Sequence, residues 1–233
     1  MNTSCKPICE SFKINDDEYR ALEKEFGQLT KYEAWQLLKK NAKNNHTNEF
    51  EDVHQELLWS LVRAGSYYKR QLYIESCLVR CVEYAGGHKA IRVLEEIIEN
   101  EKPDSFMRQE AIKARDRVVS RNAAPAGDFV ILILQELVSL WHNRTRHGAN
   151  RQKFGEHQER LLDRMVKKVV PLKERPDREK QLAIDTKFKV YCKAITWNTQ
   201  KSMGRKITKE KGLRSGQVSL SDYDYLATAG NGL

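Results

Sequence analysis

The chain has 233 residues, of which 40% are hydrophobic and 31% charged, and its net charge is +9. This length suffices for one large domain or two small ones, and the composition excludes an intrinsically disordered chain. No run of residues approaches the roughly 18 apolar residues of a membrane-spanning helix, and the N-terminus lacks the apolar segment of a secretory signal peptide. We therefore expect no membrane partner. The odd number of cysteines, five, favours reduced thiols and a cytoplasmic location.

Helical periodicity runs through almost every segment between the few prolines and glycines, which predicts an all-α, multi-helix bundle. Thr30, with Glu33 three residues later, has the spacing of a capping box and predicts a helix start, with Tyr32, Trp35 and Leu38 on its apolar line. The predicted helices cover residues 18–26, 30–42, 49–64, 67–84, 89–100, 103–121, 129–141, 151–170 and 188–202.

Two glycine-containing dipeptides predict the ends of helices in the first half of the chain. Gly65–Ser66 predicts a break after the amphipathic segment 49–64, and Gly86–Gly87 predicts the end of the following helix. Together with the charge distribution, these breaks predict an N-terminal helical part at 1–84 and a helical insertion at 85–176. A basic helix and loop at 177–222 and a flexible tail at 223–233 would complete the chain.

Sequence motifs of enzymes are absent from the chain. It has no phosphate-binding glycine loop, no dinucleotide fingerprint, no His-Glu-x-x-His and no nucleophile elbow, so we expect no catalytic residues and no cofactor. The cysteine pairs Cys5/Cys9 and Cys77/Cys81 could hold zinc in principle, but their spacing and the apolar surroundings of the second pair favour inert thiols. We therefore predict no metal site.

Positive charge is concentrated near the C-terminus. Residues 1–143 hold 20 basic and 22 acidic side chains, whereas residues 187–220 hold nine Lys or Arg and one Glu. Such asymmetry is typical of proteins that bind polyanions. Wound as a helix, residues 188–202 place Phe188, Tyr191, Cys192 and Ile195 on a core-facing stripe and Trp197 among lysines on the other side.

An aromatic ring among lysines suits a nucleic acid strand, because rings stack on bases while lysines neutralise phosphates. We therefore predict a DNA-binding face on this segment. For Tyr191 the shared stripe with Phe188 and Ile195 favours a place in the core, and Trp197 could be a packed residue. The predicted DNA-binding residues are Lys189, Tyr191, Lys193, Trp197, Lys201, Arg205, Lys206, Lys209 and Arg214.

Two stretches of the chain resemble the sigma-70-type factors of bacterial RNA polymerase. The stretch FEDVHQELLWSLVRAGSYYKR, residues 50–70, resembles the polymerase-binding helix of that family. The stretch FKVYCKAITWNTQKSMGRK, followed by VSL at 218–220, resembles its promoter-melting and −10 recognition helix. The matching positions are Glu51, Asp52, Gln55, Glu56, Arg63, Ala64 and Tyr68 in the first stretch, and Phe188, Tyr191, Ile195, Trp197, Arg205, Val218, Ser219 and Leu220 in the second.

The pattern departs from ordinary sigma factors in that more than a hundred residues separate the two stretches, and we expect no helix-turn-helix after Leu220. In this it resembles the reduced, sigma-like late-transcription factors of some bacteriophages. The resemblance implies a transcription initiation factor that binds promoter DNA, including a single-stranded −10-like element, and the RNA polymerase core. The polymerase-binding face would consist of Asp52, Gln55, Glu56, Trp59 and Arg63, although Trp59 could instead pack beneath the intervening helices.

Two other functions are compatible with the sequence. Residues 49–170 could form stacked helical hairpins, as in HEAT-like protein-interaction scaffolds, with an incidental basic end. Alternatively, the basic helix could bind RNA or DNA without specificity. Binding to polymerase and to bubble DNA distinguishes these possibilities.

Overall fold

The computed structural model describes residues 12–41, 48–121, 127–143 and 154–214, with the side chains at 40–41, 48–49 and 207–214 outside the description. Within these ranges the chain forms seven α-helices and no strand, so the prediction of an all-α, multi-helix protein is confirmed. The helices are α1 (Asp16–Asn41), α2 (Asn48–Ala85), α3 (Gly87–Asn100), α4 (Phe106–Arg121), α5 (Asp128–Asn143), α6 (Glu156–Val169) and α7 (Thr186–Arg214), with a short 3-10 helix at Leu172–Glu174.

Helix α1 is longer than its sequence pattern predicts. It begins directly after Asn15. The Asn15 side chain accepts a hydrogen bond from the Glu18 N–H, and the Glu18 carboxylate accepts one from the Asn15 N–H, so the two residues form a reciprocal cap. The predicted helix start at Thr30 is wrong. Thr30 is buried in mid-helix, and its hydroxyl donates to the carbonyl oxygens of Phe26 and Gly27. A threonine hydroxyl can satisfy either role, and burial of one continuous face decides between them.

Helix α2 is also continuous, so the predicted break at Gly65–Ser66 is wrong. Gly65 is buried, and a Cβ atom at this position would lie 2.9 Å from Ile14 Cδ1 and 3.2 Å from Leu182 Cδ2. The glycine therefore permits close packing, and the roughly 1 kcal/mol that glycine costs a helix is outweighed by burial on both sides. The predicted end at Gly86–Gly87 is correct, since both residues have positive φ, 63° and 74°.

The chain divides into two compact units, each built from separate stretches. The first unit comprises residues 1–13 and 67–181, and the second comprises residues 14–66 and 182–233. Helix α2 contributes its C-terminal half to the first unit and its N-terminal half to the second. The two stretches that resemble sigma factors thus fall largely in the second unit, while residues 67–181 form most of the first.

The first unit has a core made by the second half of α2 together with α3, α4, α5 and α6. The very apolar α5 buries one face, including Leu134 and Trp141, but leaves Phe129 and Leu132 exposed. A buried carboxylate, Glu83, links α2 to α4. It forms ion pairs with arginines of α2 and α4, namely Arg80, Arg117 and Arg121.

The second unit consists of α1, the N-terminal half of α2, and α7. Helices α1 and α2 form an antiparallel hairpin, because Ala34 and Leu37 near the end of α1 pack with Val53 and Leu57 near the start of α2. Gly65, farther along α2, lies instead against Ile14, just before α1 begins. Helix α7 joins this hairpin through its buried side, which includes Phe188 and Cys192.

Candidate nucleic-acid interface

Helix α7 is fixed to the second unit along one continuous line. Its N-terminus is capped by Asp185, whose side chain accepts a hydrogen bond of 2.7 Å from the Phe188 N–H. Phe188 is fully buried and meets the ring of Phe26 edge to face at 6.3 Å. The buried line then continues at one-turn spacing through Cys192, Thr196 and Gln200.

This line differs from the predicted core stripe of Phe188, Tyr191, Cys192 and Ile195. Phe188 and Cys192 are buried, but Tyr191 and Ile195 are only partly buried. The buried line instead includes two polar residues, Thr196 and Gln200, which can be buried because they are hydrogen-bonded. Thr196 donates to the Cys192 carbonyl oxygen, and Gln200 donates to the carbonyl oxygen of Glu33 on α1.

Helices α1 and α7 run parallel. The Leu182 N–H donates to the Glu18 carboxylate, Lys189 forms an ion pair with Glu25, and Gln200 bonds to Glu33. Farther along, a Cβ atom at Gly204 would lie 3.2 Å from the side chain of Leu37. Because contacts advance in the same direction along both helices, the register between them is fixed.

Trp197 and its neighbours form the exposed side of α7. The Trp197 side chain is 52% exposed, and the Lys201 ammonium lies over its ring, 3.3 Å from the centroid. Lys193, Arg205 and Lys206 are exposed as well. Lys193 and Lys201 lie one helical turn before and after Trp197, and Arg205 lies one turn beyond Lys201, whereas Lys206, nine residues from Trp197, falls on the opposite side of the helix. The half-exposed ring buries little apolar surface within the protein, and the part of it that Lys201 does not cover is available to a ligand.

The remaining predicted DNA-binding residues are placed differently. Lys189 is partly buried, and its ammonium lies 2.6 Å from a carboxylate oxygen of Glu25, so its charge is already neutralised. Tyr191 is partly buried, with its ring 6.5 Å from that of Phe188. Lys209 and Arg214 belong to α7, but their side chains lie outside the described residues.

The predicted polymerase-binding face on α2 is exposed at every position. Asp52, Gln55, Glu56 and Arg63 are exposed, and Trp59 is 49% exposed rather than packed beneath other helices. The Arg63 guanidinium donates to the Glu56 carboxylate at 2.7 Å. The face thus presents an aromatic ring beside two acidic side chains and one cation that is already paired.

Sequence reasoning missed two exposed aromatic residues on α1. Tyr32 and Trp35 were expected on the apolar line of this helix, but they are 56% and 49% exposed, because Ala34 and Leu37 form the buried side instead. The Lys39 ammonium lies 4.7 Å from the centroid of the Trp35 ring. The signal was available, since Trp35 and Lys39 have the same four-residue spacing as Trp197 and Lys201.

The thiols of the described residues are buried and inert. Burial raises the pKa of Cys77 to about 12, and burial raises the pKa of Cys81 further still. The described residues contain no group of three or more His, Cys, Asp or Glu that could hold a metal ion. Cys5 and Cys9, the other candidate pair, lie outside the described residues.

In the described ranges, no helix combines the length and the apolarity that crossing a bilayer requires.

Comparison with known proteins gives no relative for this chain. Searches against protein-family models, curated proteins and solved structures found no match.

Proposed function

We propose that this protein binds a strand of DNA through the exposed side of α7 and acts as a sigma-like transcription initiation factor. The observation that carries the proposal is the exposed Trp197 ring with Lys193, Lys201 and Arg205 near it, on a helix that is buried along Phe188, Cys192, Thr196 and Gln200. Stacking on an aromatic ring recognises the face of an unpaired base, and the surrounding cations neutralise the phosphates of its strand.

Rigid placement of the ring supports this function. Phe188, Cys192 and Thr196 anchor α7 along its buried side, and Gln200 ties it to α1. Trp197 therefore keeps its position relative to the cations on the same helix. A stacking ligand meets a preorganised site, which lowers the entropy cost of binding. Lys201, which already lies over the ring, stays close enough to follow the phosphate of the stacked nucleotide.

The role in transcription rests on the resemblance to sigma factors. Residues 50–64 and 188–202, which carry the resemblance, belong to the same compact unit although more than a hundred residues separate them. Within this unit Met203 packs against the buried cluster of Ala34, Leu37, Val53 and Leu57. An initiation factor needs one surface for DNA and another for polymerase. The cationic side of α7 and the acidic, aromatic side of α2 would serve these two purposes.

The test combines DNA binding and polymerase association. We expect the protein to bind A/T-rich bubble DNA with an affinity that falls steeply with salt, and to co-purify with RNA polymerase. Trp197→Ala with Lys193→Ala should abolish DNA binding while the melting temperature stays nearly unchanged. A matched control, Phe129→Ala with Lys168→Ala, removes an exposed ring and an exposed lysine elsewhere and should bind like the unaltered protein.

The polymerase face is tested separately. Asp52→Lys with Glu56→Lys should end polymerase association and leave DNA binding in place, because reversing two charges opposes docking on a basic surface. Retained association would exclude this face. Binding of RNA with no polymerase association would indicate a non-specific RNA-binding protein, and absence of both activities would indicate a helical scaffold.

A further inference from the structure

We propose that a separate face of α1 binds the second strand of an opened duplex while α7 binds the first. The inference rests on the proposed function, because an opened duplex is a ligand with two unpaired strands. The outer face of α1 consists of five exposed residues, namely Lys24, Lys31, Tyr32, Trp35 and Lys39. The rings of Tyr32 and Trp35 are 56% and 49% exposed, and the Lys39 ammonium lies 4.7 Å from the centroid of the Trp35 ring.

The outer face lies on the side of α1 that points away from α7. The side toward α7 is marked by three contacts, which join Phe26 to Phe188, the Glu33 carbonyl to Gln200, and Leu37 to Gly204. At about 100° per residue, the three positions on α1 fall within about 40° of one another. Measured from Glu33, the residues of the outer face lie about 160–260° around the helix, with Trp35 at about 200°. The width of α1, about 10–12 Å, therefore separates a ligand on this face from α7.

Positive charge prevails on the outer face. Between residues 24 and 39 the chain has two acidic side chains, Glu25 and Glu33. Glu25 forms an ion pair with Lys189 of α7, and Glu33 lies on the side of α1 where Gln200 contacts its carbonyl. The three lysines of the outer face thus have no carboxylate among them within this segment. Such a charge distribution favours a polyanion as the partner.

The two rings favour an unpaired strand over a duplex. A base offers its face for stacking on Trp35 or Tyr32 once it has left the duplex, and lysines near the rings neutralise the phosphates of its strand. The Tyr32 hydroxyl accepts a hydrogen bond of 2.9 Å from Gln36, which holds its ring on α1. The outer face therefore combines the two kinds of contact that bind a single strand.

The same local pattern occurs on both helices. Lys31 and Lys39 lie one turn before and one turn after Trp35, so segments 31–39 and 193–201 share the pattern Lys-x3-Trp-x3-Lys. In both segments the later lysine lies over the ring, at 4.7 Å on α1 and 3.3 Å on α7. Two contacts of one type on separate sides of the unit suit the two strands of an opened duplex.

The experiment compares binding of the oligonucleotide dT8 with binding of A/T-rich bubble DNA. A single dT8 strand occupies α7 first, because α7 belongs to the segment 187–220 with its nine basic residues. Bubble DNA held at α7 brings its other strand to the outer face of α1 at a high effective concentration. Trp35→Ala should weaken bubble binding roughly 5- to 150-fold, the range for loss of one base–aromatic stack, and change dT8 binding less than about twofold.

Further variants show whether the ring and the charge act as proposed. Trp35→Phe keeps a ring and should retain most of the affinity for bubble DNA. Lys31→Ala should lower the salt slope of bubble binding by about 0.7 and leave that of dT8 binding unchanged. Trp197→Ala should weaken binding of both ligands. Phe129→Ala removes an exposed ring of the first unit and should bind both ligands like the unaltered protein.

The outcomes separate this inference from the proposed function. If Trp197→Ala weakens binding of both ligands and Trp35→Ala weakens neither, the second strand-binding face is refuted and the proposed function stands. If Trp35→Ala weakens dT8 and bubble binding by the same factor, both rings contact one strand, and the assignment to a second strand is overturned. An equal loss with a fully paired duplex would assign the face to paired DNA and also overturn it. If the unaltered protein binds neither ligand, both proposals are refuted. An unchanged melting temperature of Trp35→Ala, expected for a half-exposed side chain, excludes unfolding as the cause of a lost affinity.

Discussion

Lys189 and Lys193 can test whether the exposed side of α7 contacts DNA phosphates, because they lie one turn apart on α7 but have different surroundings. Lys193 is exposed, whereas Lys189 is paired with Glu25 at 2.6 Å. For a single-stranded nucleic acid, each phosphate neutralised by the protein contributes about 0.7 to the slope of log K against log salt concentration. We therefore expect Lys193→Ala to lower the magnitude of this slope by about 0.7.

The matched control removes the ion pair as a whole. Lys189→Ala combined with Glu25→Ala leaves the net charge unchanged and should leave the salt slope unchanged. An ion pair of which both side chains are about 40% exposed contributes at most about 1 kcal/mol to stability, so the double variant should remain folded.

The assay is titration of fluorescent dT8 at salt concentrations between 50 and 200 mM. Over this fourfold range, a slope difference of 0.7 narrows the affinity gap between the unaltered protein and Lys193→Ala by about 2.6-fold. An unchanged slope for Lys193→Ala would refute the assignment of this face to DNA phosphates. A lowered slope for the variant without the ion pair would show that Lys189 leaves Glu25 to contact the strand.

Three further predictions concern stability and reactivity. Phe188→Ala should lower the free energy of unfolding by about 3–5 kcal/mol in urea titration, because it empties a fully buried ring position; a loss below about 1 kcal/mol would contradict the packing of α7. Glu83→Ala should cost about 1–3 kcal/mol, since the solvent-accessible Arg80, Arg117 and Arg121 lose the buried carboxylate that they share, whereas Glu156→Ala, which removes an exposed pair, should cost at most about 1 kcal/mol. Burial raises the pKa of Cys77 and of Cys192 to about 12, so both thiols should resist alkylation at pH 8 until urea unfolds the protein, and rapid labelling of the native state would contradict their burial.

The local pattern of the sequence determined the helical character of the protein. Apolar residues at helical spacing require a helix to bury them, whatever the rest of the chain does. The glycines at 86 and 87 end a helix for an equally local reason, since both adopt positive φ. The exposure of Trp197 followed from the same kind of pattern, because its neighbours one turn away on either side are lysines.

Several features depended on contacts that no local pattern contains. Gly65 and Thr30 have the residue types of a helix break and a helix cap, but tertiary burial places both inside continuous helices. Trp35 has the residue type of a core position, yet smaller neighbours are buried and the indole ring is left outside. Helix α1 has apolar residues on two sides and could bury either side. Its packing with α2 decided which of the two sides is buried.

The composition of the second unit was likewise a tertiary outcome. The sequence indicated that residues 50–64 and 188–202 belong together only through a resemblance to a known family, not through any physical property of the intervening residues. In the structure, parallel packing of α7 on α1 holds the two stretches in one unit. Phe188 against Phe26 and Gln200 against Glu33 form these contacts across more than 160 residues of chain, where pairing depends on shape and hydrogen bonding that periodicity does not encode.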